Sequence, residues 1–237
     1  MKNIKILYED NHLLAVEKPQ NLPVQGDISG DADLLSLLKQ YLREKYNKKG
    51  EAFLGLVHRL DRPVGGAMIF AKTSKAASRL SEQIRTRQVK KVYLAVVEGS
   101  FQTSSGTYRH YLVKNRETNT VQVAAEGTAG SQEAILHYKV LAQGEEKSLV
   151  RIELETGRPH QIRVQLSHSG HPLIGDEKYG KTSGKSPTKH LALWSSQIAF
   201  KHPVKDEIIR INSQPPQGHP WNLFLESIDQ FVKEERI

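Results

Sequence analysis

Asp61 stands between Arg59 and Arg62 in the stretch GLVHRLDRPVGGAMIFAKTS, residues 55 to 74, with His58 upstream and Gly65-Gly66 downstream. The flanks are apolar: Phe53, Leu54, Leu56 and Val57 precede it, and Met68 to Ala71 follow. A surface aspartate paired with an arginine is worth little and needs no such setting. A carboxylate drawn partly out of water stays ionised only when a cation holds it. Held in that way, it can act as a nucleophile. Ordinary glycoside hydrolysis wants two carboxylates, and only one such acid is evident. A lone carboxylate of this kind, next to the basic stretch that begins at Lys72, suggests chemistry on a nucleoside in which water is not the attacker.

Other constellations weigh less. Gly175 to Thr182, GDEKYGKT, matches the phosphate-loop pattern GxxxxGK(S/T). That loop must follow a strand and open a helix, so that backbone amides and the helix N-terminus hold the phosphate. Here His171-Pro172 precedes it, and Ser183-Gly184-Lys185-Ser186-Pro187 follows, a poor helix start. His160, His168 and His171 lie close together, but no carboxylate stands at helical spacing from a histidine pair, so no metal is expected. His58-Arg59-Leu60-Asp61 places its aspartate one residue too late for a kinase catalytic loop.

The elements that must position Asp61 can be read from periodicity. Residues 4–9 and 12–16 form two short strands around Asp10-Asn11. A helix is predicted from about Asp31 to Tyr46, on the stripe Leu34, Leu37, Leu38, Tyr41 and Leu42. Ala67 to Lys72 is a buried strand, and Thr73 or Ser74 caps a helix carrying Ala76, Leu80 and Ile84. Further strands are predicted at 91–97, 108–113, 120–124, 133–141, 149–155, 191–200 and 207–211. Pro159 should open a short helix through Ser167, and a last helix carries Leu225, Ile228 and Val232. Lys181–Lys189 reads as a mobile loop. Many strands with little βαβ alternation argue for an α+β fold.

The 237 residues fit one domain, 1–237, able to bury a core without staples. With no cysteine, disulfides, thiolate metal sites and a cysteine nucleophile are excluded. No apolar run approaches the roughly 18–20 residues of a membrane span, and the N-terminus is not a signal peptide, so a cytoplasmic protein is expected. The net charge is +8, and residues 72–116, with ten basic and two acidic side chains, account for all of it. A localised basic block points to a polyanion such as RNA.

The motifs taken together resemble a known family. His58-Arg59-Leu60-Asp61, with Gly66 and Ala71-Lys72, is similar to the HRLD signature of the RluA-type pseudouridine synthases. Ile6 to Pro19 resembles that family's opening, Lys91 to Gly99 its tyrosine motif, and Thr156 to Val164 its arginine motif. Gly170 to Asp176 with Tyr179-Gly180, then Leu191 to Trp194 and Phe200 to Pro203, follow in family order, which accounts for the phosphate-loop match. The resemblance spans nearly the whole chain. It implies a pseudouridine synthase catalytic fold, with a long mixed, mostly antiparallel sheet flanked by helices and loops. It also implies an isomerase that converts uridine to pseudouridine in tRNA or 23S rRNA, without metal or cofactor, as a monomer.

The resemblance implies roles as well. Asp61 would be the nucleophile, or the base-like carboxylate that starts the exchange. Arg163 would pair with Asp61. Tyr93 would stack on the flipped uracil, with Ile162 packed beneath it. Arg59 would fill the gap left in the RNA stack. His58, Arg158 and His160 would contact the substrate. Two positions depart from the pattern: Val64-Gly65 replaces a common Thr-Ser, and Trp194 stands where histidine is common. Many relatives also carry an N-terminal S4 RNA-binding module; here recognition is expected from the catalytic domain or from RNA shape.

Overall fold

The computed structural model describes residues 4–27, 29–180 and 190–235. In chain order the strands are β1 (Lys5–Glu9), β2 (Leu13–Lys18), β3 (Gly55–Leu56), β4 (Gly65–Ala71), β5 (Lys90–Glu98), β6 (Ser105–Asn115), β7 (Thr120–Ala124), β8 (Gln132–Gln143), β9 (Lys147–Leu154), β10 (Leu193–Lys201) and β11 (Ile208–Asn212). The helices are α1 (Leu34–Lys45), α2 (Ser74–Arg85), α3 (Gln161–His168) and α4 (Leu225–Glu234), with a 3-10 turn over Trp221–Phe224. Strands dominate and pair mostly antiparallel, which makes this an α+β fold. The chain divides into two compact units. The first is Met1–Lys90 with Ser195–Ser213, and the second is Lys91–Trp194 with Gln214–Ile237.

In the first unit β2 pairs with β1 on one side and with β4 on the other, from Leu13 opposite Ala71 to Lys18 opposite Gly66. Every residue of β4 is buried, which is why its sequence is a continuous apolar run and not an alternation. Leu13, Ala15, Ile69, Leu80, Ile198 and Phe200 belong to one core cluster. Truncating Leu80 there should cost about 2–5 kcal/mol. The helices start where their caps dictate. The Asp33 carboxylate accepts from the Ser36 amide at 3.0 Å, and the Thr73 hydroxyl accepts from the Ala76 amide at 3.2 Å. Both bury the centre of the predicted stripes, Leu34, Leu38 and Leu42 on α1 and Ala76 with Leu80 on α2, while Leu37, Tyr41 and Ile84 are only partly buried.

In the second unit the strand order is β5-β9-β8-β6-β7. One face of β5, with Val92, Leu94 and Val96, packs with Leu149, Trp194, Trp221, Ile228 and Phe231. A smaller cluster of Leu112, Val121, Ala134 and Val164 holds α3 against β6, β7 and β8. The α3 helix starts at Gln161, two residues after the proline predicted to open it. The Gln161 side chain explains the delay. Its carbonyl oxygen accepts from the Arg158 amide at 2.9 Å and from the Thr156 hydroxyl at 2.8 Å, closing residues 156–160 into a turn first. The two-residue β3 and the 3-10 turn carry no periodic signal and are absent from the sequence reading. The predicted Lys181–Lys189 loop lies outside the described residues.

Candidate active site

In the first unit His58, Arg59 and Asp61 share one loop, held from several sides. The His58 Nε2 accepts from the Ile69 amide of β4 at 3.0 Å, so His58 anchors the loop to the buried strand. Leu60 and Val64 are buried on either side of half-exposed Asp61. The Val64 amide donates to the Asp61 carbonyl at 3.0 Å, closing a tight turn. The Asn21 amide reaches the Arg62 carbonyl at 2.9 Å, and the Gln20 side chain reaches the Pro63 carbonyl at 3.1 Å. Gly66 follows with φ of 114°, and a Cβ there would run into the backbone of Ser195. Only glycine meets both demands, which keeps β4 and β10 in close approach beside the loop.

The cations around Asp61 sort themselves differently from their order in the sequence. Arg62 turns away, toward Asp31, Asp27 and the Ser29 hydroxyl. Arg59 is exposed and makes no hydrogen bond or ion pair among the described residues. The cation buried next to Asp61 is Lys18, at 0% exposure. Its ammonium donates to the carbonyls of Leu22 at 2.7 Å, Pro19 at 2.9 Å and Arg62 at 2.9 Å. Burial pushes the Lys18 pKa down to about 7, and the nearby Asp61 carboxylate works in the opposite direction. Three acceptors match the three hydrogens of an ammonium, so this geometry is built for the charged form. The ammonium thus ties the β2 terminus to the residue after Asp61. The sequence does not mark this role, because Lys18 follows Glu17 at the charged end of LLAVEK, where the apolar run has already stopped.

In the second unit Arg158, His160, Ile162 and Arg163 come together on one turn and the start of α3, and Tyr93 lies on β5, opposite Ile152 of β9. Tyr93 and Ile162 are both buried. The Arg158 guanidinium donates to the Glu133 carbonyl of β8 at 2.9 Å. His160 adopts a left-handed φ of 52°, and its Nδ1 lies 2.6 Å from the Tyr179 hydroxyl. Arg163 is buried and meets a partner that the sequence reading did not single out. Its Nε and Nη2 donate to the two oxygens of Asp176 at 2.8 and 2.7 Å, a bidentate fork.

The phosphate-loop match also resolves at this point. Gly175 to Gly180 is a turn around Asp176, whose Oδ1 takes the amides of Lys178 and Tyr179 at 3.0 and 3.1 Å. Those amides are not available to a phosphate. Lys181 lies outside the described residues. Among the described residues no group of three or more histidine and acidic side chains is placed to hold a metal ion. No helix among them is long and apolar enough to cross a membrane.

The basic block proves less uniform than its sequence. It is divided between the two units. Lys72, counted in it, is nearly buried and donates to Glu9 at 2.8 Å and to the Asp10 carbonyl at 2.5 Å. Arg85 pairs with Glu82, and Arg109 with Glu133. Lys75, Lys114 and Arg116 remain exposed, with no ion pair among the described residues.

Comparisons with known proteins agree with one another. Residues 12–168 match the family model described as RNA pseudouridylate synthase. A Bacillus subtilis protein named as an uncharacterized RNA pseudouridine synthase is 37% identical over 209 residues, covering 87% of this chain and 67% of that protein. The ribosomal large subunit pseudouridine synthase D of Pseudomonas aeruginosa is 39% identical over 237 residues, covering 94% of this chain and 71% of that protein. The chain thus spans about two thirds of the length of these relatives. Among solved structures, human RNA pseudouridylate synthase domain containing 4 superposes with a TM-score of 0.76 at 26% identity, covering 96% of this chain and 93% of that one.

Proposed function

We propose, from the premise that the chain belongs to the RNA pseudouridylate synthase family, that residues 1–237 act as one catalytic domain isomerising uridine in large-subunit ribosomal RNA. The observation that carries this reading is the HRLD stretch inside the matched region, with Asp61 on a loop braced by Lys18, His58, Asn21 and Gln20. A reacting group needs such bracing, because misplacement by an ångström costs rate steeply. The target follows the name of the Pseudomonas relative, a ribosomal large subunit pseudouridine synthase. The same relative supports a cytoplasmic enzyme, and we take it to work as a monomer.

The target uridine leaves the stack at a cost of a few kcal/mol. Exposed Arg59, a planar cation, fills the space and meets phosphate. Tyr93 stacks on the extruded uracil, with Ile162 beneath it. His58, Arg158 and His160 contact the substrate, each on a segment held by the contacts described above. Asp61 is the nucleophile and Arg163 its cationic partner. The N1–C1′ bond breaks, the uracil turns, and a C5–C1′ bond forms. The hydrogen on C5 leaves to solvent and N1 gains one, so the reaction is redox-neutral and needs no second reactant.

Tritium release from RNA labelled at uracil C5 tests this reading, with ribosomal RNA and tRNA assayed separately. Wild type should release tritium from ribosomal RNA. Asp61→Asn should release none yet bind RNA as tightly. Release by Asp61→Asn at the wild-type rate would remove Asp61 from the chemistry. RNA affinity without turnover by wild type would favour a binding-only protein.

A further inference from the structure

We infer that Asp176 and Tyr179 are positioning residues for Arg163, holding its guanidinium in one place and one plane; the inference rests on the assignment of Arg163 to the active site. A long, flexible side chain can serve a reaction only if its charged end is fixed before substrate arrives. Asp176 grips one edge of the guanidinium through Nε at 2.8 Å and Nη2 at 2.7 Å. That fork sets the position and turns the opposite edge, Nη1 with Nη2, toward any further anion. The Tyr179 ring covers the face, with the guanidinium carbon 5.0 Å from the ring centroid. The ring sets the tilt that a fork alone leaves free.

The clamp is itself immobilised. The Tyr179 hydroxyl accepts the Val121 amide at 2.9 Å and shares a second hydrogen bond with the His160 Nδ1, 2.6 Å away. The Tyr179 carbonyl accepts from the Ser167 hydroxyl at 2.5 Å. Asp176 Oδ1 takes the amides of Lys178 and Tyr179, and the Asp176 carbonyl takes the Gly180 amide at 2.8 Å. A Cβ on Gly180 would collide with that carbonyl. The side chain of Asp176 is 1% exposed and that of Arg163 is 7% exposed, so water does not compete for the fork. The spacing that mimics a phosphate loop therefore encodes a small turn, built around a carboxylate in place of a phosphate. His160 enters through this turn, as the brace of Tyr179. Asp176 also balances the Arg163 charge within its own unit, so the guanidinium can be shared with a reacting carboxylate without being left a lone buried cation.

The test uses the full chain with Asp176→Asn, Tyr179→Leu and Tyr179→Phe, each checked for folding by circular dichroism. Steady-state kinetics on the RNA that wild type modifies give kcat and KM separately. Nitrogen-15 arginine NMR follows the Arg163 Nε–H, identified by its loss in Arg163→Lys. Asp176→Asn should lower kcat about a hundredfold with KM within about threefold, and should abolish the protected Nε–H signal. Tyr179→Leu should lower kcat about tenfold, while Tyr179→Phe, which keeps the ring, should stay within about threefold of wild type. The inference is overturned if Asp176→Asn keeps both wild-type kcat and the protected signal. It is also overturned if Tyr179→Phe loses as much as Tyr179→Leu, or if the losses lie in KM. Should wild type turn over no RNA, the functional reading fails, and the NMR signal alone decides the clamp. If Asp176→Asn does not fold, the Tyr179 pair decides it.

Discussion

Asp61 depends on a residue that is hidden from solvent. Its sequence neighbour Arg62 is directed to Asp27 and Asp31 on the surface, while Lys18 fixes the backbone at Arg62 from below. The two cations should respond differently to removal. Lys18→Met keeps most of the volume but leaves three carbonyls without a donor, and each buried unsatisfied group costs about 1–3 kcal/mol. A loss of about 3 kcal/mol in urea denaturation is expected, together with reduced turnover in whatever fraction stays folded. Arg62→Gln removes a half-exposed pair worth about 0–1 kcal/mol. It should leave both denaturation and turnover near wild type. Equal effects of the two changes would mean that the Asp61 loop is not held by Lys18. Of the site, Asp61 was legible from residue type and apolar flanks. Lys18 and Asp176 were not, because their roles rest on three carbonyls and on a guanidinium brought in by the fold.

At the scale of elements, one carboxylate joins β1, α1 and the segment after β4. Glu9 accepts from Lys45 at 2.7 Å, Lys72 at 2.8 Å, Tyr46 at 2.6 Å and Tyr41 at 2.9 Å. Burial pushes its carboxyl up, but these donors outweigh that effect and hold it at about 2. The native form is thus a weaker base than the unfolded one. Glu9 contributes stability above the usual carboxylate value near 4.5, and that stability is lost as pH falls toward 2. The contribution is about 3 kcal/mol at most. Wild type should therefore lose more stability between pH 6 and pH 3 than Glu9→Gln, measured by urea denaturation at both pH values. Parallel losses would show that the cluster does not control acid sensitivity. The helices and long strands that meet here were readable from stripes, caps and alternation. Lys72 was not, since charge counting assigned it to an RNA surface and only the fold brings Glu9, Tyr46 and the Asp10 carbonyl to it. The start of α3 is hidden for a similar reason, as Pro159 marks a helix start in the sequence while the Gln161 side chain first closes a turn there.

For the whole molecule, the ten basic side chains of residues 72–116 overstate what faces RNA. Internal ion pairs hold Lys72, Arg85 and Arg109, so their charges are already offset by Glu9, Glu82 and Glu133. Exposed cations such as Lys75, Lys114 and Arg116 are those able to release counterions from a phosphate backbone. Lys114 is the exposed penultimate residue of β6, and exposed Arg116 begins the turn into β7, so neither belongs to the core. The double variant Lys114→Ala with Arg116→Ala should fold as wild type. It should bind ribosomal RNA more weakly, and the slope of log affinity against log salt should become shallower by about one to two. Arg85→Ala, which removes a cation already paired on its own helix, should leave that slope nearly unchanged. Filter-binding across a salt series separates the two cases. If both variants shift the slope alike, total charge governs RNA affinity. If only the first does, the surviving exposed cations govern it, and the pairing pattern inside each unit decides which basic residues act on RNA.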